Sequence, residues 1–154
     1  MFLYDVFHLY FLYCANYLFA YFVALPVLNL KIEKIDSAAS FLCGKGFHIV
    51  SRNARRGHLE IDIIAKDETH IIFAEVKTRR SIPNTAHPFG RPASAVDAAK
   101  ASRLCNAVGD WLRSNTDSWI GLVPRIDVIE VYISPQTDKY KVLKIVHMEN
   151  AVHY

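Results

Sequence analysis

Asp62 and the run Glu75, Val76, Lys77 are the residues of this chain whose types and spacing could do chemistry. They stand in "EIDIIAKDETHIIFAEVKTR", where Glu60, Asp62, Glu75 and Lys77 interrupt runs of Ile, Phe, Val and Ala rather than ending them. Side chains alternate between the two faces of a strand. Glu60 and Asp62 therefore share one face, and Glu75 and Lys77 share another. Register decides whether the two faces coincide. A two-residue turn at Asp67 and Glu68 sets Glu60 against Glu75, and a four-residue loop sets Asp62 against Glu75. Both put the three carboxylates and Lys77 on one side, whereas a three-residue loop splits them. Like charges opposed across a sheet destabilise it by a few tenths to about 1 kcal/mol per pair. Carboxylates gathered without imidazole or thiolate call for a hard cation, Mg²⁺ or Mn²⁺, that keeps part of its water shell. Such an ion activates water and stabilises charge on a phosphoryl oxygen. Lys77 could orient the attacking water or oppose phosphate charge. The pattern suits phosphodiester hydrolysis. The alternative is a solvated sheet face carrying surface ion pairs of small energetic weight.

The elements that must position these residues follow from periodicity. A helix is predicted from about Glu33 to Gly44, with Ile35, Ala38, Ala39 and Leu42 at helical spacing and Gly44 and Gly46 ending it. "FHIVSRN", "LEIDIIAK" and "HIIFAEVKTR" read as strands, and "RSIPNTAHPFGRP" as a loop. "ASAVDAAKASRLCNAVGDWLRSN" reads as the second helix, with Leu104, Ala107, Val108, Trp111 and Leu112 as its stripe. Pro92 suits its first turn, and Ser94 and Asp97 have capping-box spacing. "RIDVIEVYI" and "YKVLKIVHM" read as two further strands, with a turn at Ser134, Pro135 and Gln136. The expected fold is an α/β sheet flanked by helices, in the order α-β-β-β-α-β-β.

Composition narrows the function classes. The chain has 154 residues, 52% hydrophobic and 21% charged, which suits one folded domain with an extension. Cys14, Cys43 and Cys105 are widely spaced, and no Cys or His spacing suits a zinc site, so a reducing compartment fits best. No phosphate-binding Gly-rich loop or nucleophile elbow is present. All 18 Lys and Arg follow residue 30, which makes an anionic partner such as nucleic acid plausible.

Residues 1–30 are a different material and are read as a separate segment from the domain over 31–154. They hold ten aromatic residues, and the 22 residues from Leu9 to Leu30 carry no charge. As a helix that run would reach about 33 Å, against a hydrocarbon layer of ~30 Å. A membrane anchor is the physical default. Lys31 and Lys34 would then leave the following domain in the cytoplasm. A mis-assigned start, which would make the segment a non-native extension, competes with it. A cleaved signal peptide lacks its positive n-region.

The D…ExK arrangement of Asp62, Glu75 and Lys77 resembles the PD-(D/E)xK nuclease signature. The wider run resembles the YraN-type family, an uncharacterised group with a Holliday-junction-resolvase-like fold. Matching pieces are "AASFLCGKGFHIVSRN", "EIDIIAKD", "IFAEVKTRRS", "FGRPASAV", the helix with Lys100 and Arg103, "RIDVIEV" and "IVHMENAV", in order over about residues 36 to 152. The resemblance implies a restriction-endonuclease-like mixed sheet and Mg²⁺- or Mn²⁺-dependent cleavage of structured nucleic acid, DNA before RNA. It implies Asp62, Glu75 and Lys77 as the catalytic set, with Asp62 and Glu75 on the metal and Glu60 as an accessory acid. An inactive nucleic-acid-binding domain stays open, as does a homodimer that handles two strands. Two positions depart from the family pattern. Leu59 stands where a Gly precedes the first acid, and Ile35 stands where the first helix carries a Glu.

Further residues have two readings each. Lys100 lies on the helical stripe with Leu104 and Trp111, so its head can emerge over the sheet, or its stem can simply cover apolar surface. Arg55, Arg56, Arg79, Arg80 and Arg103 could meet a phosphate backbone, or could line a solvated face. Trp111 and Trp119 are expected in the core or on a partner surface.

Overall fold

The structure is a computed structural model that describes residues 31, 33–56, 59–80, 98–135 and 140–152, apart from the side chains of Arg56 and Pro135. The chain divides into two compact units, Met1–Glu33 and Lys34–Tyr154, and the fold described is that of the second. The first helix, α1, runs to residue 44. It is followed by β1 (His48–Arg56), β2 (Leu59–Lys66), β3 (His70–Arg80), α2 (Ala98–Ser114), β4 (Val123–Pro135) and β5 (Tyr140–Val152). The expected order α-β-β-β-α-β-β is the observed one. The predicted loop and helix start over residues 81–97, including Pro92, Ser94 and Asp97, lie outside the described residues. So do Cys14 and the apolar residues 1–30. Among the described residues no helix is long and apolar enough to cross a membrane.

α1 ends as its glycines predict. Gly46 takes φ +93°, a conformation that costs an L side chain energy, and the N–H groups of Gly46 and Phe47 bond the carbonyls of Cys43 and Leu42. The chain then enters a five-stranded sheet of order β1-β2-β3-β4-β5. Neighbours are antiparallel except β3 and β4, which run parallel. A parallel pair needs a crossover, and α2 lies in it.

Alternation along β3 divides the core into two layers. Ile72 and Ala74 pack with Ile35, Ala38, Ala39 and Leu42 of α1. Ile71 and Phe73 pack with Leu104, Ala107, Val108 and Trp111 of α2. Each fully buried Leu, Val or Phe contributes roughly 1.5–3 kcal/mol. Phe73 and Trp111 also meet edge to face, 5.4 Å between centroids. Trp111 is thus a core residue, and Trp119 packs at the rim of the same layer, donating its indole N–H to the Leu112 carbonyl. Ile35, the departure from the family's first-helix Glu, is 2% exposed in the α1 layer.

Candidate metal and phosphate site

The register of β2 and β3 is set by one side chain. The Asp67 carboxylate accepts the N–H groups of Thr69 and His70, both at 2.7 Å, and the Thr69 hydroxyl at 3.0 Å. The Asp67 N–H bonds the His70 carbonyl. These bonds close a four-residue loop, so Lys66 pairs with Ile71 and Ile63 with Ala74. The two-residue alternative does not occur. Burial pushes the Asp67 carboxyl up, but the bonds from Thr69 and His70 outweigh it and hold the pKa below its ordinary value.

The β2–β3 ladder stops at Ile63 and Ala74, where the next pair would be Asp62 and Glu75. There the Asp62 carboxylate replaces a backbone partner: Oδ2 accepts the Val76 N–H at 2.9 Å. Ile61 and Ile64 both belong to the α2 layer although they are three residues apart, so strict alternation breaks around Asp62. Asp62 and Glu75 are each only 8% exposed. Glu75 and Lys77 share the α2 side of β3 with Ile71 and Phe73, because Ile72, Ala74 and Val76 face α1. Glu75 Oε1 accepts a hydrogen bond from the Lys100 ammonium of α2. Lys77 is half-buried and makes no ion pair or hydrogen bond among the described residues.

The structure therefore brings Asp62, Glu75, Lys77 and Lys100 to the end of the β2–β3 ladder. Glu60 is half-buried, and its register partner on β1 is Arg55. Among the arginines, Arg55, Arg80 and Arg103 are exposed. Arg79 is not available in the same way. Its Nε and Nη2 donate to Glu130 Oε1 at 2.9 and 2.8 Å. Arg52, on β1 with Arg55, donates to Asp36 Oδ1 at 2.7 Å.

Two acids of β4 that the sequence pattern did not single out are the most enclosed acids among the described residues. Glu130 is 1% exposed; it also accepts the Tyr132 hydroxyl at 2.7 Å and is the β4 register partner of Lys77. Burial and the Glu130 carboxylate together raise the Tyr132 phenol. Asp127 is fully buried and accepts from Arg125 at 2.9 and 3.0 Å, from His147 Nε2 at 2.8 Å, and from the Asn150 N–H at 2.9 Å. Asn150 takes φ +52° in an irregularity of the β4–β5 ladder, which aims its N–H at Asp127. Lys45 donates to His147 Nδ1 at 3.0 Å and to Glu149 at 3.2 Å, and Arg125 also donates to Glu149. A lysine only donates and a carboxylate only accepts, so these contacts fit the His147 tautomer with hydrogen on Nε2. Burial works most strongly against the Asp127 charge. The bonds from His147, Arg125 and Asn150 outweigh it, and the carboxyl lies below its usual range. The signal for both acids was present in "RIDVIEVY", where they interrupt an apolar run as Asp62 and Glu75 do.

Among the described residues no group of three or more His, Cys, Asp or Glu side chains is placed to hold a metal ion. Asp62 and Glu75 are instead two buried carboxylates at the end of the β2–β3 ladder. That suits Mg²⁺, which keeps several waters and binds through one or two carboxylates plus phosphate oxygens, better than an ion that needs an all-protein cage.

A mixed five-stranded sheet with a parallel β3–β4 pair and helices on both faces is the restriction-endonuclease-like α/β arrangement expected from the sequence. The profile of Uncharacterised protein family UPF0102 matches residues 35–131, and the chain belongs to that family. It is 37% identical over 119 residues to a UPF0102 protein of Caldanaerobacter subterraneus, covering 77% of this chain and 88% of the relative. A UPF0102 protein of Chlorobaculum tepidum is 43% identical over 104 residues, covering 68% and 74%. A third, from Oleidesulfovibrio alaskensis, is 48% identical over 84 residues, which span 54% of this chain and only 39% of the relative.

Proposed function

We propose that the chain is a Mg²⁺- or Mn²⁺-dependent nuclease that hydrolyses phosphodiesters in structured or branched nucleic acid. The observation that carries this reading is the placement of two buried carboxylates, Asp62 and Glu75, where two strands separate, with Lys77 on the same face two residues on. Asp62 and Glu75 would hold the ion, and Glu60 would assist them. When bound, the ion supplies an activated water and charge stabilisation at the phosphoryl oxygen.

The chain's own groups do the rest. The Val76 N–H fixes the Asp62 carboxylate, so it is oriented before any ligand arrives. Lys77 makes no ion pair or hydrogen bond among the described residues, and its β4 register neighbour Glu130 is taken by Arg79 and Tyr132, which leaves the Lys77 ammonium for a water or a phosphate. Exposed Arg80 and Arg103 would neutralise phosphates along the strand. With residues 1–30 as a membrane anchor, Lys31 and Lys34 would leave the domain on the cytoplasmic side.

The test is cleavage of a four-way DNA junction and a matched linear duplex with Mg²⁺, Mn²⁺ or chelator. Metal-dependent cleavage that Asp62→Ala and Lys77→Ala abolish, with the fold retained, is expected. Equal activity in the double variant and the parent overturns the reading. A second reading, a silent nucleic-acid-binding domain, is favoured by the Lys100 ion pair on Glu75. It predicts salt-sensitive binding indifferent to chelator, and no cleavage.

A further inference from the structure

Glu75 is nine-tenths enclosed, and a carboxylate in that setting needs a counter-charge. Asp62 adds a second enclosed carboxylate beside β3, where its Oδ2 accepts the Val76 N–H one residue from Glu75. The counter-charge present is Lys100. Its position is not an accident of a loose surface chain. Lys100 sits one helical turn ahead of Leu104, which is 4% exposed in the layer formed with Phe73, so α2 is seated on β3 by its own core contacts. The Lys100 side chain remains 45% exposed, so the ammonium has a path to solvent. Arg103, on the same side of the helix one turn on, instead folds back on the Ala99 carbonyl.

We propose that Lys100 is an exchange latch. Its ammonium occupies Glu75 in competition with a divalent cation, and a cation that takes Glu75 must release Lys100. This rests on the reading of Asp62 and Glu75 as metal-holding acids. The competition weakens metal binding to the protein alone. A released Lys100 is free to meet a phosphate, and a phosphate that draws Lys100 away frees Glu75 for the ion. Metal and nucleic acid then favour each other's binding, as any two ligands do that release the same internal contact. Lys100 is thus a positioning residue that acts through Glu75, whereas Lys77 faces the reacting groups directly.

The test is Mn²⁺ titration by calorimetry of the full-length chain in mild detergent, for the parent, Lys100→Met, Lys100→Gln and Glu75→Gln. The latch predicts that both Lys100 variants bind Mn²⁺ roughly two- to fivefold more tightly than the parent, the range expected from removing a half-exposed ion pair. It also predicts a lower melting midpoint for them without metal, and a larger rise on adding Mn²⁺. Unchanged or weaker Mn²⁺ affinity in both Lys100 variants, with binding lost in Glu75→Gln, leaves the metal reading standing and overturns the latch. No Mn²⁺ binding by the parent or either Lys100 variant overturns both. Melting curves identify a variant that fails to fold, and the other Lys100 substitution then decides.

Discussion

The Asp62 carboxylate accepts the Val76 N–H at 2.9 Å, so the first acid of the site is fastened to the strand that carries the second. A backbone donor that the sheet leaves unpaired is satisfied by the side chain, and the side chain is oriented in return. Structure and chemistry are thus linked at one bond, and a substitution can separate them.

Asp62→Asn retains an oxygen able to accept the Val76 N–H but loses the charge. Its stability is expected to stay within about 1 kcal/mol of the parent. Metal-dependent phosphodiester hydrolysis is expected to fall by roughly a hundredfold or more. Urea unfolding alongside cleavage assays separates the two. Full activity in Asp62→Asn would rule out the carboxylate's role.

Asp67→Ala removes the acceptor that closes the β2–β3 loop. The loss is expected to be about 1–2 kcal/mol, since the Thr69 and His70 N–H groups can turn to water in this exposed loop. Because the loop sets the pairing of Lys66 with Ile71, amide exchange along β2 should also quicken. A variant with unchanged unfolding and exchange would show that the register is held elsewhere.

Acid should destabilise the fold through the Asp127 network. The Asp127 carboxyl is held below its ordinary value against burial by His147, Arg125 and Asn150, and Glu149 is lowered by its bond from Lys45 and the charge of Arg125. Depressed carboxylates contribute stability that is fully present above their unfolded pKa, about 4, and is lost as pH falls through the folded value. Unfolding free energy should therefore decline from about pH 5 downward. Asp127→Asn should cost about 3 kcal/mol at pH 7 and show a shallower decline in acid. Parallel profiles for the two proteins would refute the assignment.

Arg79 and its neighbours should separate by assay. Arg80→Ala and Arg103→Ala are expected to weaken nucleic-acid binding across sequences, each lowering the slope of log affinity against log salt by about 1. Stability should be unchanged. Arg79→Ala breaks the bond to buried Glu130, so it should lower the melting midpoint as well. Equal effects of all three on binding with no change in melting would return Arg79 to the exposed set.

Much of this was legible before any coordinates. The order of helices and strands followed from periodicity, because apolar residues at helical or alternate spacing have one way to be buried together. The stop at Gly46 was legible because the chain there needs a positive φ. The pairing of Glu75 with Lys77 on one face followed from the two-residue period of a strand. The placement of Lys100 over the sheet was legible as one of two options, since the helical stripe fixes which way the residue points but not what it meets.

Periodicity could not choose between a two-residue and a four-residue loop, because both satisfy alternation. The choice came from three hydrogen bonds on the Asp67 carboxylate. Nor could it show that Arg79 is spent on Glu130, or that Asp127 gathers Arg125, His147 and Asn150, since those partners are as much as 51 residues apart in sequence. The sequence by itself determined the elements and which charges share a face, for both follow from local backbone geometry. Only the tertiary structure decided which charge meets which, because that depends on strand register, the crossover through α2 and the irregularity opposite Asp127, where distant segments are brought within hydrogen-bonding reach.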